Sequence, residues 1–393
     1  MEVLVLGKNS ASKPMYEQIF ESLRERIQLH QYQVGERVPS EKELCDEFGV
    51  SRITTKKALE MLASEQLIVR QPGRGSFVAD RADELQERPN KSAPHAAVKD
   101  PERKLLIGLV MTNFSDMYGT ELLYGMEEAS REHDCFLVLR RSFGIPEQEE
   151  QSIQELLELG VDGLIIFPAQ GEYFSDEILK LVVNKFPFVL IDRYLKGIPA
   201  SSVSTDNVGA AREGTNYLFN LGHRHIAFLT QPPANTTPIE ERIEGIIEAH
   251  HDQGVLVNRE LWLESFLSTL PSVFDPQVEV RDVETLVEHL QKYPQITALF
   301  AAEYHIALLA EQAADRLGLR IPEDISIICF DSPDAAEGCC VTHMRQSQFD
   351  MGKQAFEMVL QSMQNNEIAV NRVVLPARLV KGRSTSTVRQ EDK

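Results

Sequence analysis

Three side chains that can contact nucleic acid, Arg52, Thr54 and Lys56, occupy the first turns of one predicted helix. The packed face of that helix repeats at helical spacing and consists of Thr55, Ala58, Leu59 and Leu62. Arginine binds guanine edges, threonine contacts bases or phosphates, and the free amides of a helix N-terminus favour phosphate. Such a helix is typical of one that enters the major groove of DNA.

The residues around this helix predict a winged helix-turn-helix. Gly49 ends a short preceding helix, and Ser51 is a good N-cap for the next one. Two short predicted strands, Leu67–Arg70 and Ser76–Val78, flank a turn that carries Arg74. The hairpin is therefore a wing with a basic tip.

An earlier helix, predicted over Ser12–His30, and a second helix that Ser40 caps complete a predicted DNA-binding domain at residues 11–80. Arg37 lies just before the second helix, and Lys42 lies near its N-terminus, where a lysine can contact a phosphate. The predicted DNA-contacting residues are Arg37, Lys42, Ser51, Arg52, Thr54, Lys56, Gly73 and Arg74.

Four segments of this region resemble the GntR-type DNA-binding domain. They are residues 13–19 (KPMYEQI), 35–41 (GERVPSE), 48–52 (FGVSR) and 73–78 (GRGSFV). Four motifs in the family's order are more specific than an isolated helix-turn-helix pattern. The resemblance implies binding to double-stranded operator DNA. A small helical packing module without a DNA-binding role is the alternative interpretation.

The composition predicts a cytoplasmic protein of two or three domains. The chain has 393 residues, 42% of them hydrophobic, and no apolar run approaches the roughly 20 residues of a membrane span. Its first seven residues carry Glu2 where a signal peptide has basic residues. The five cysteines form no metal-ligand spacing, which indicates reduced, mostly buried thiols. Cys339 and Cys340 as a redox pair are the alternative.

The charge is distributed unevenly along the chain. The net charge is −20, yet residues 1–80 hold 11 Lys and Arg against 12 Asp and Glu, and the remainder holds 29 against 48. A near-neutral head can concentrate basic groups on its helix and wing, whereas the acidic remainder repels DNA. The charge pattern therefore favours DNA binding through the head alone.

Downstream of the head, residues 81–104 lack apolar periodicity and contain three prolines, which predicts a linker. From Leu105 onward, strand and helix patterns alternate, and they include a predicted strand near Leu261–Phe266. Such alternation predicts an α/β fold with parallel sheets covered by helices. Two lobes of this kind form a cleft at the carboxyl ends of their strands.

Residues 105–385 resemble the LacI/GalR-type regulatory domain, which is similar to periplasmic sugar-binding proteins. The resemblance rests on residues 107–110 (IGLV), 161–165 (VDGLI), 187–193 (PFVLIDR), 205–207 (TDN), 221–226 (LGHRHI), 241–245 (ERIEG) and 321–331 (IPEDISIICFD). A GntR-type head on such a domain is the arrangement of the arabinose-repressor group of bacterial transcription regulators. The resemblance implies a homodimer, and a repressor that a bound sugar releases from its operator.

The matching positions supply polar and aromatic side chains at strand ends and helix starts. A sugar presents adjacent hydroxyls and an apolar face, which carboxylates, amides, arginines and aromatic rings bind well. The predicted effector-binding residues are Asn113, Asp116, Tyr118, Asp192, Arg193, Arg242, Glu303, Asp331 and Gln346.

Glu303 departs from the family pattern. Related sensors commonly have Asn-Asp where this chain has Glu303 and Tyr304. An ionised carboxylate accepts hydrogen bonds but donates none. The departure predicts an effector with more donors, or with a positive group, and argues against a simple assignment to arabinose.

Other functions require features that the sequence does not offer. A Rossmann-type enzyme needs a glycine-rich loop after the first strand, but Thr112–Asp116 contains no glycine. A transported-solute receptor would carry a signal peptide instead of the head. The histidine pairs at 223 and 225 and at 250 and 251 fit a turn and a helix end better than a metal site. We therefore expect neither a cofactor nor a metal, with an effector-dependent activator as the alternative to a repressor.

Overall fold

The computed structural model describes residues 15–28, 31–50, 52–64, 67–71, 75–79, 103–116, 118–170, 175–333, 341–364 and 370–388. The chain divides into two compact units, Met1–Val98 and Lys99–Lys393, called here the head and the body. The predicted linker lies outside the described residues except for Arg103 and Lys104, as do Ser12, His30, Ser51, Gly73, Arg74, Cys339 and Cys340.

The head is a winged helix-turn-helix, as predicted. Its elements are α1 (Met15–Gln28), α2 (Glu41–Phe48), α3 (Arg52–Ser64), β1 (Ile68–Gln71) and β2 (Gly75–Val78). The two strands pair antiparallel with Ile68 opposite Val78. The three helices and the wing share one core, in which Ile19, Leu23, Leu44 and Leu62 are fully buried.

Local sequence signals set the helix ends in the head. Ser40 caps α2, because its hydroxyl accepts from the Glu43 amide while the Glu43 carboxylate accepts from the Ser40 amide. Gly49 ends α2 at φ 65°, a left-handed conformation that favours glycine. Thr55 is fully buried and donates to the Arg52 carbonyl, so the predicted packed face of α3 is confirmed.

The body alternates strands and helices along most of its length. Its elements are β3 (Leu106–Met111), α4 (Thr120–Glu132), β4 (Phe136–Arg141), α5 (Pro146–Leu159), β5 (Gly163–Ile166), α6 (Asp176–Val183), β6 (Phe188–Ile191), β7 (Ser201–Thr205), α7 (Asn207–Asn220), β8 (Ile226–Leu229), α8 (Thr237–Asp252), α9 (Pro276–Lys292), β9 (Ala298–Ala301), α10 (Tyr304–Leu317), β10 (Ser326–Phe330), β11 (Thr342–Arg345), α11 (Gln348–Gln364), β12 (Arg372–Leu375) and β13 (Arg378–Val380).

The first lobe of the body is a parallel sheet with helices on both faces. Its six strands lie in the order β12-β7-β6-β5-β3-β4. Alternate residues of β5 enter different cores: Ile165 packs with α4 and α11, whereas Leu164 packs with α5 and α6. Because both faces are covered, β5 and β6 are continuous apolar segments.

The second lobe has a five-stranded sheet in the order β13-β11-β10-β9-β8, in which only β13 is antiparallel. Its core contains three aromatic rings from neighbouring strands, Phe228, Phe300 and Phe330, and the only tryptophan of the chain, Trp262. The Phe300 and Phe330 rings stack at 5.7 Å between centroids. The apolar side chains of these strands therefore pack into one continuous core.

The described chain passes between the lobes at three places. It leaves the first lobe after Thr205, returns between Arg345 and Gln348, and crosses again between Leu375 and Arg378. Each crossing has two intervening residues or fewer, so the lobes are closely tethered.

One predicted strand is wrong. Residues 259–261 form a 3-10 turn that Asn258 caps, and the following segment makes a single bridge, Leu229 with Leu263. Leu261, Trp262 and Phe266 are all buried, so this apolar segment fills the core beside β8 instead of extending the sheet. Helix α9 begins at Pro276, where the Asp275 side chain caps it.

Within the described residues, no helix combines the length and the apolar content that a bilayer span requires.

Helices α4 and α11 approach so closely that a side chain cannot stand between them. A Cβ on Gly125 would lie 2.0 Å from the Phe349 carbonyl oxygen, and one on Gly352 would lie 2.1 Å from that of Leu122. We expect Gly125→Ala to lower the free energy of unfolding by about 1–3 kcal/mol, because the helices must separate. Chemical unfolding followed by circular dichroism measures this, with Glu121→Ala on the exposed side of α4 as the control. Equal stability of the two variants would contradict the close packing.

Candidate functional site

A cavity of about 250 Å³ lies between the two lobes of the body. Eight of the nine predicted effector-binding residues line it: Asn113, Tyr118, Asp192, Arg193, Arg242, Glu303, Asp331 and Gln346. Asp116 does not; it is exposed and lines a neighbouring groove with Thr120 and Glu121. The cavity is therefore the candidate effector site, and Asp116 lies outside it.

The carboxyl ends of the strands bring these residues together. Asp192 directly follows β6, Asp331 directly follows β10, and Gln346 directly follows β11. Glu303 stands between β9 and α10, while Arg242 extends from α8. Because parallel strands end at one edge of a sheet, residues that are distant in sequence converge on one cleft.

Asp192 and Tyr118 form one polar pair in the first lobe. The Tyr118 hydroxyl donates to the Asp192 carboxylate. Burial and the neighbouring carboxylates raise the pKa of Tyr118 well above its usual value, so the phenol keeps its proton. Arg193 Nε lies 3.7 Å from the other Asp192 oxygen, and its guanidinium packs 5.1 Å from the Phe167 ring centre.

Asp331 is held by amides. It accepts from the Gln346 side chain at 2.5 Å, from the Gln346 backbone at 3.3 Å and from Gln348 at 3.2 Å. Burial raises the pKa of Asp331 to about 6, and these hydrogen bonds oppose the rise. Gln346 also accepts from Thr205 at 2.6 Å, which joins two of the interlobe crossings.

Arg242 is buried rather than exposed. Its Nε donates to Asn207 at 2.9 Å, a terminal nitrogen donates to the Ala302 carbonyl at 2.5 Å, and the guanidinium lies 3.7 Å from the Phe330 ring centre. Burial lowers its pKa, and Asp192 and Asp331 counteract this. The side chain is fixed in place with part of its donor edge in the cavity.

The Glu303 carboxyl is incompletely hydrogen-bonded among the described residues. Its Oε1 atom is inaccessible to solvent and accepts no hydrogen bond from the described residues. The residue occupies the N-cap position of α10, but its side chain makes no capping bond. Burial raises the pKa of this carboxyl above its usual value.

Several residues of the cavity wall were not among the predicted effector-binding residues. Of the buried side-chain polar atoms without a partner among the described residues, those of Arg193, Gln231, Thr236, Thr269 and Glu303 line this cavity. Gln231 follows β8 by two residues, so the strand-end signal used for Asp192 could have identified it. Thr269 lies in an irregular loop, and no signal in the sequence indicates its position. Unbonded buried polar groups are rare and indicate a ligand site.

Contacts between the lobes surround the cavity. The Tyr194 hydroxyl donates to Glu241 at 2.9 Å, and Lys196 pairs with Glu240 on the same helix, α8. Elsewhere along the cleft, the Phe143 and Phe274 rings meet edge to face at 6.0 Å. These contacts connect the two lobes beside the cleft.

The head presents a second candidate site on α3. Arg52 and Lys56 are both exposed and lie one helical turn apart, while Thr54 between them is half-buried. Arg37 and Lys42 are also exposed, and the Arg37 side chain lies beside Gly75, where the second strand of the wing begins. Arg52 and Lys56 lie in the first turns of the candidate recognition helix, whereas Arg37 precedes α2 and Lys42 lies in its first turn.

Comparison with known families agrees with both units. Residues 15–78 match bacterial regulatory proteins of the gntR family, and residues 215–385 match the periplasmic binding protein-like domain. The chain therefore combines a GntR-type DNA-binding domain with a binding-protein-like domain.

Two curated relatives align over most of the chain. The arabinose metabolism transcriptional repressor of Geobacillus stearothermophilus is 28% identical over 386 residues, covering 95% of this chain and 98% of that protein. The HTH-type transcriptional regulator KdgR of Bacillus subtilis is 26% identical over 350 residues, covering 87% of this chain and 96% of its own length.

Solved structures show the same fold for the body. The transcription regulator CcpA of Lactococcus lactis superposes with a TM-score of 0.62 at 21% identity and covers 72% of this chain and 100% of its own. A LacI family transcriptional regulator from Enterococcus faecium with bound ribose gives a TM-score of 0.58 at 24% identity, with the same coverage of each chain.

Because burial raises the pKa of Glu303, we expect the stability of the folded body to depend on pH. A carboxyl whose pKa is raised on folding stabilises the folded state below its ordinary pKa, and that contribution is lost as pH rises through the folded value. We expect Glu303→Gln to raise the melting temperature relative to the parent at pH 8 and to lose this advantage near pH 5. Trp262 fluorescence reports unfolding of the second lobe. Glu284→Gln, an exposed position on α9, is the control; a constant difference across pH would contradict the assignment.

Proposed function

We propose that this protein is a transcription regulator, specifically a repressor, in which the head binds operator DNA and a sugar in the cleft of the body controls that binding. The observation that carries the proposal is the set of unbonded polar groups around the interlobe cavity. A cavity of this kind, in a chain that also has a winged helix-turn-helix, supports sensing in the body and DNA recognition in the head.

The cavity has the chemistry of a carbohydrate site. Asp192, Asp331 and the two arginines offer paired hydrogen-bonding groups, and Tyr118 and Phe167 offer aromatic surface. The ribose bound by the Enterococcus faecium relative supports a sugar as the ligand class. The names of the two curated relatives given above support regulation of transcription, and the first supports repression.

Recognition of an operator requires two heads for a near-palindromic site, so the proposal includes a homodimer. Phosphate contacts supply most of the affinity and base contacts supply the selection. We assign Arg52 on α3 to base contacts, and we assign Lys56 on α3, Arg37 before α2 and Lys42 in α2 to phosphates or groove edges. Ser51, Gly73 and Arg74 stay predicted contacts at the helix start and the wing tip.

Arg52→Ala is the test of the DNA-binding assignment. A bidentate arginine contact contributes about 1–3 kcal/mol of base discrimination, so the variant should lose most of its preference for operator over scrambled DNA. Lys56→Ala should instead weaken binding to both DNAs. Gel shifts at one fixed salt concentration measure both effects. An Arg52→Ala protein that discriminates as well as the parent would exclude this role.

Arg242→Ala is the test of the effector assignment. A ligand shifts a two-state equilibrium only by its differential affinity for the two states, and Arg242 can supply that difference by gripping adjacent hydroxyls. We expect the variant to bind operator like the parent and to respond to sugar no longer. Operator affinity with and without sugar gives the readout, and Trp262 fluorescence verifies folding. Arg281→Ala, exposed on α9, is the control; a normal response in Arg242→Ala would rule the role out.

A further inference from the structure

The carboxylates of the cavity differ in how much of their hydrogen-bonding capacity the protein uses. Asp192 accepts from Tyr118 and lies beside Arg193, and Asp331 accepts three hydrogen bonds from two glutamines. Glu303 Oε1 accepts none from the described residues, although it is shielded from solvent. Glu303 therefore keeps a buried carboxyl oxygen that a ligand can bond.

The nearby cations do not neutralise Glu303 through contact. Arg242 directs two of its nitrogens to Asn207 and Ala302, and Arg193 lies next to Asp192. The Thr269 hydroxyl favours the ionised form of Glu303 most, followed by His305 and the two arginines, but no ion pair joins any of these cations to it among the described residues. The carboxyl stands at the second-lobe wall, where burial raises its pKa.

The same wall carries further unbonded groups that can accept. The side-chain oxygens of Gln231, Thr236 and Thr269 line the cavity and have no partner among the described residues. Gln231 Oε1 only accepts, so a ligand donor satisfies it and a ligand acceptor leaves it unbonded, whereas the two threonine hydroxyls can bond either kind of ligand group. An unbonded buried acceptor costs about 1–3 kcal/mol, so the difference selects between ligands.

We propose that Glu303 determines effector specificity: it selects sugars that place a hydroxyl or ammonium donor against Oε1, and it rejects sugar acids that place a carboxylate there. The inference rests on the proposed function, because it concerns the ligand of the same cavity. A ligand carboxylate in this position would face the Glu303 carboxyl, and two carboxyl groups at contact distance cannot both ionise in a site shielded from water, which weakens binding of the acid.

Matched sugars test the proposal. The glucose, galactose and mannose series each provide a neutral hexose, a 2-amino sugar and a uronate on one ring, and L-arabinose and D-ribose add neutral pentoses. Binding to the full-length protein is measured by calorimetry and by the shift in melting temperature. Within the series that binds, we expect the neutral or amino sugar to bind at least about tenfold more tightly than the uronate. The neutral and amino sugars together identify which donor Glu303 prefers.

Glu303→Gln then isolates the residue. Glutamine keeps the shape but replaces the anionic acceptor by an amide that also donates. We expect the ratio of uronate affinity to neutral or amino sugar affinity to rise about tenfold in this variant. Glu311→Gln, two turns further along α10 and outside the cavity lining, should keep the parental ratio.

Three outcomes overturn the inference in distinguishable ways. A uronate that binds the parent as tightly as its neutral counterpart contradicts the selection against acids. An unchanged ratio in Glu303→Gln contradicts the role of this residue, while sugar binding itself stands. No response to any of the sugars, with Trp262 fluorescence showing a folded protein, removes the sugar site and the inference that depends on it.

Discussion

Buried polar atoms need hydrogen bonds, and this requirement shapes the body of the protein. Most of its buried polar groups are bonded within a lobe or across a crossing, as for His223, which contacts Thr297 and the Ser386 carbonyl. The exceptions among the described residues gather at and around the interlobe cavity. A ligand that bonds these groups favours the arrangement of the lobes that presents them, so ligand binding and the angle between the lobes are energetically linked.

The polar network of the cavity runs through the places where the chain changes lobes. Thr205 and Asn207 flank the first crossing, and Asn207 accepts from Arg242. Gln346, in the second crossing, accepts from Thr205 and donates to Asp331. A ligand that bonds Arg242 or Asp331 therefore contacts side chains that are hydrogen-bonded to residues at two crossings. A small rotation at a crossing changes the angle between the lobes.

The head and the body differ strongly in net charge. The acidic body and the near-neutral head differ by 18 in net charge across residue 80, from −1 to −19. The described cations Arg37, Lys42, Arg52 and Lys56 are exposed in the head. The acidic body repels phosphates, which favours DNA contact through the head, where we propose that α3 selects bases.

The sequence by itself indicated the winged head, most of the alternating strands and helices of the body, and eight of the residues that line the cavity. Apolar periodicity and capping residues act locally, and strand ends converge wherever parallel sheets form, so Asp192, Glu303 and Asp331 could be placed together. The tertiary structure alone decided that Asp116 faces a different groove, that Leu261–Phe266 fills a core instead of forming a strand, and that Thr269 joins the cavity wall. It also decided that Glu303 keeps an oxygen unbonded, because hydrogen-bond satisfaction depends on the positions of groups far apart in the chain.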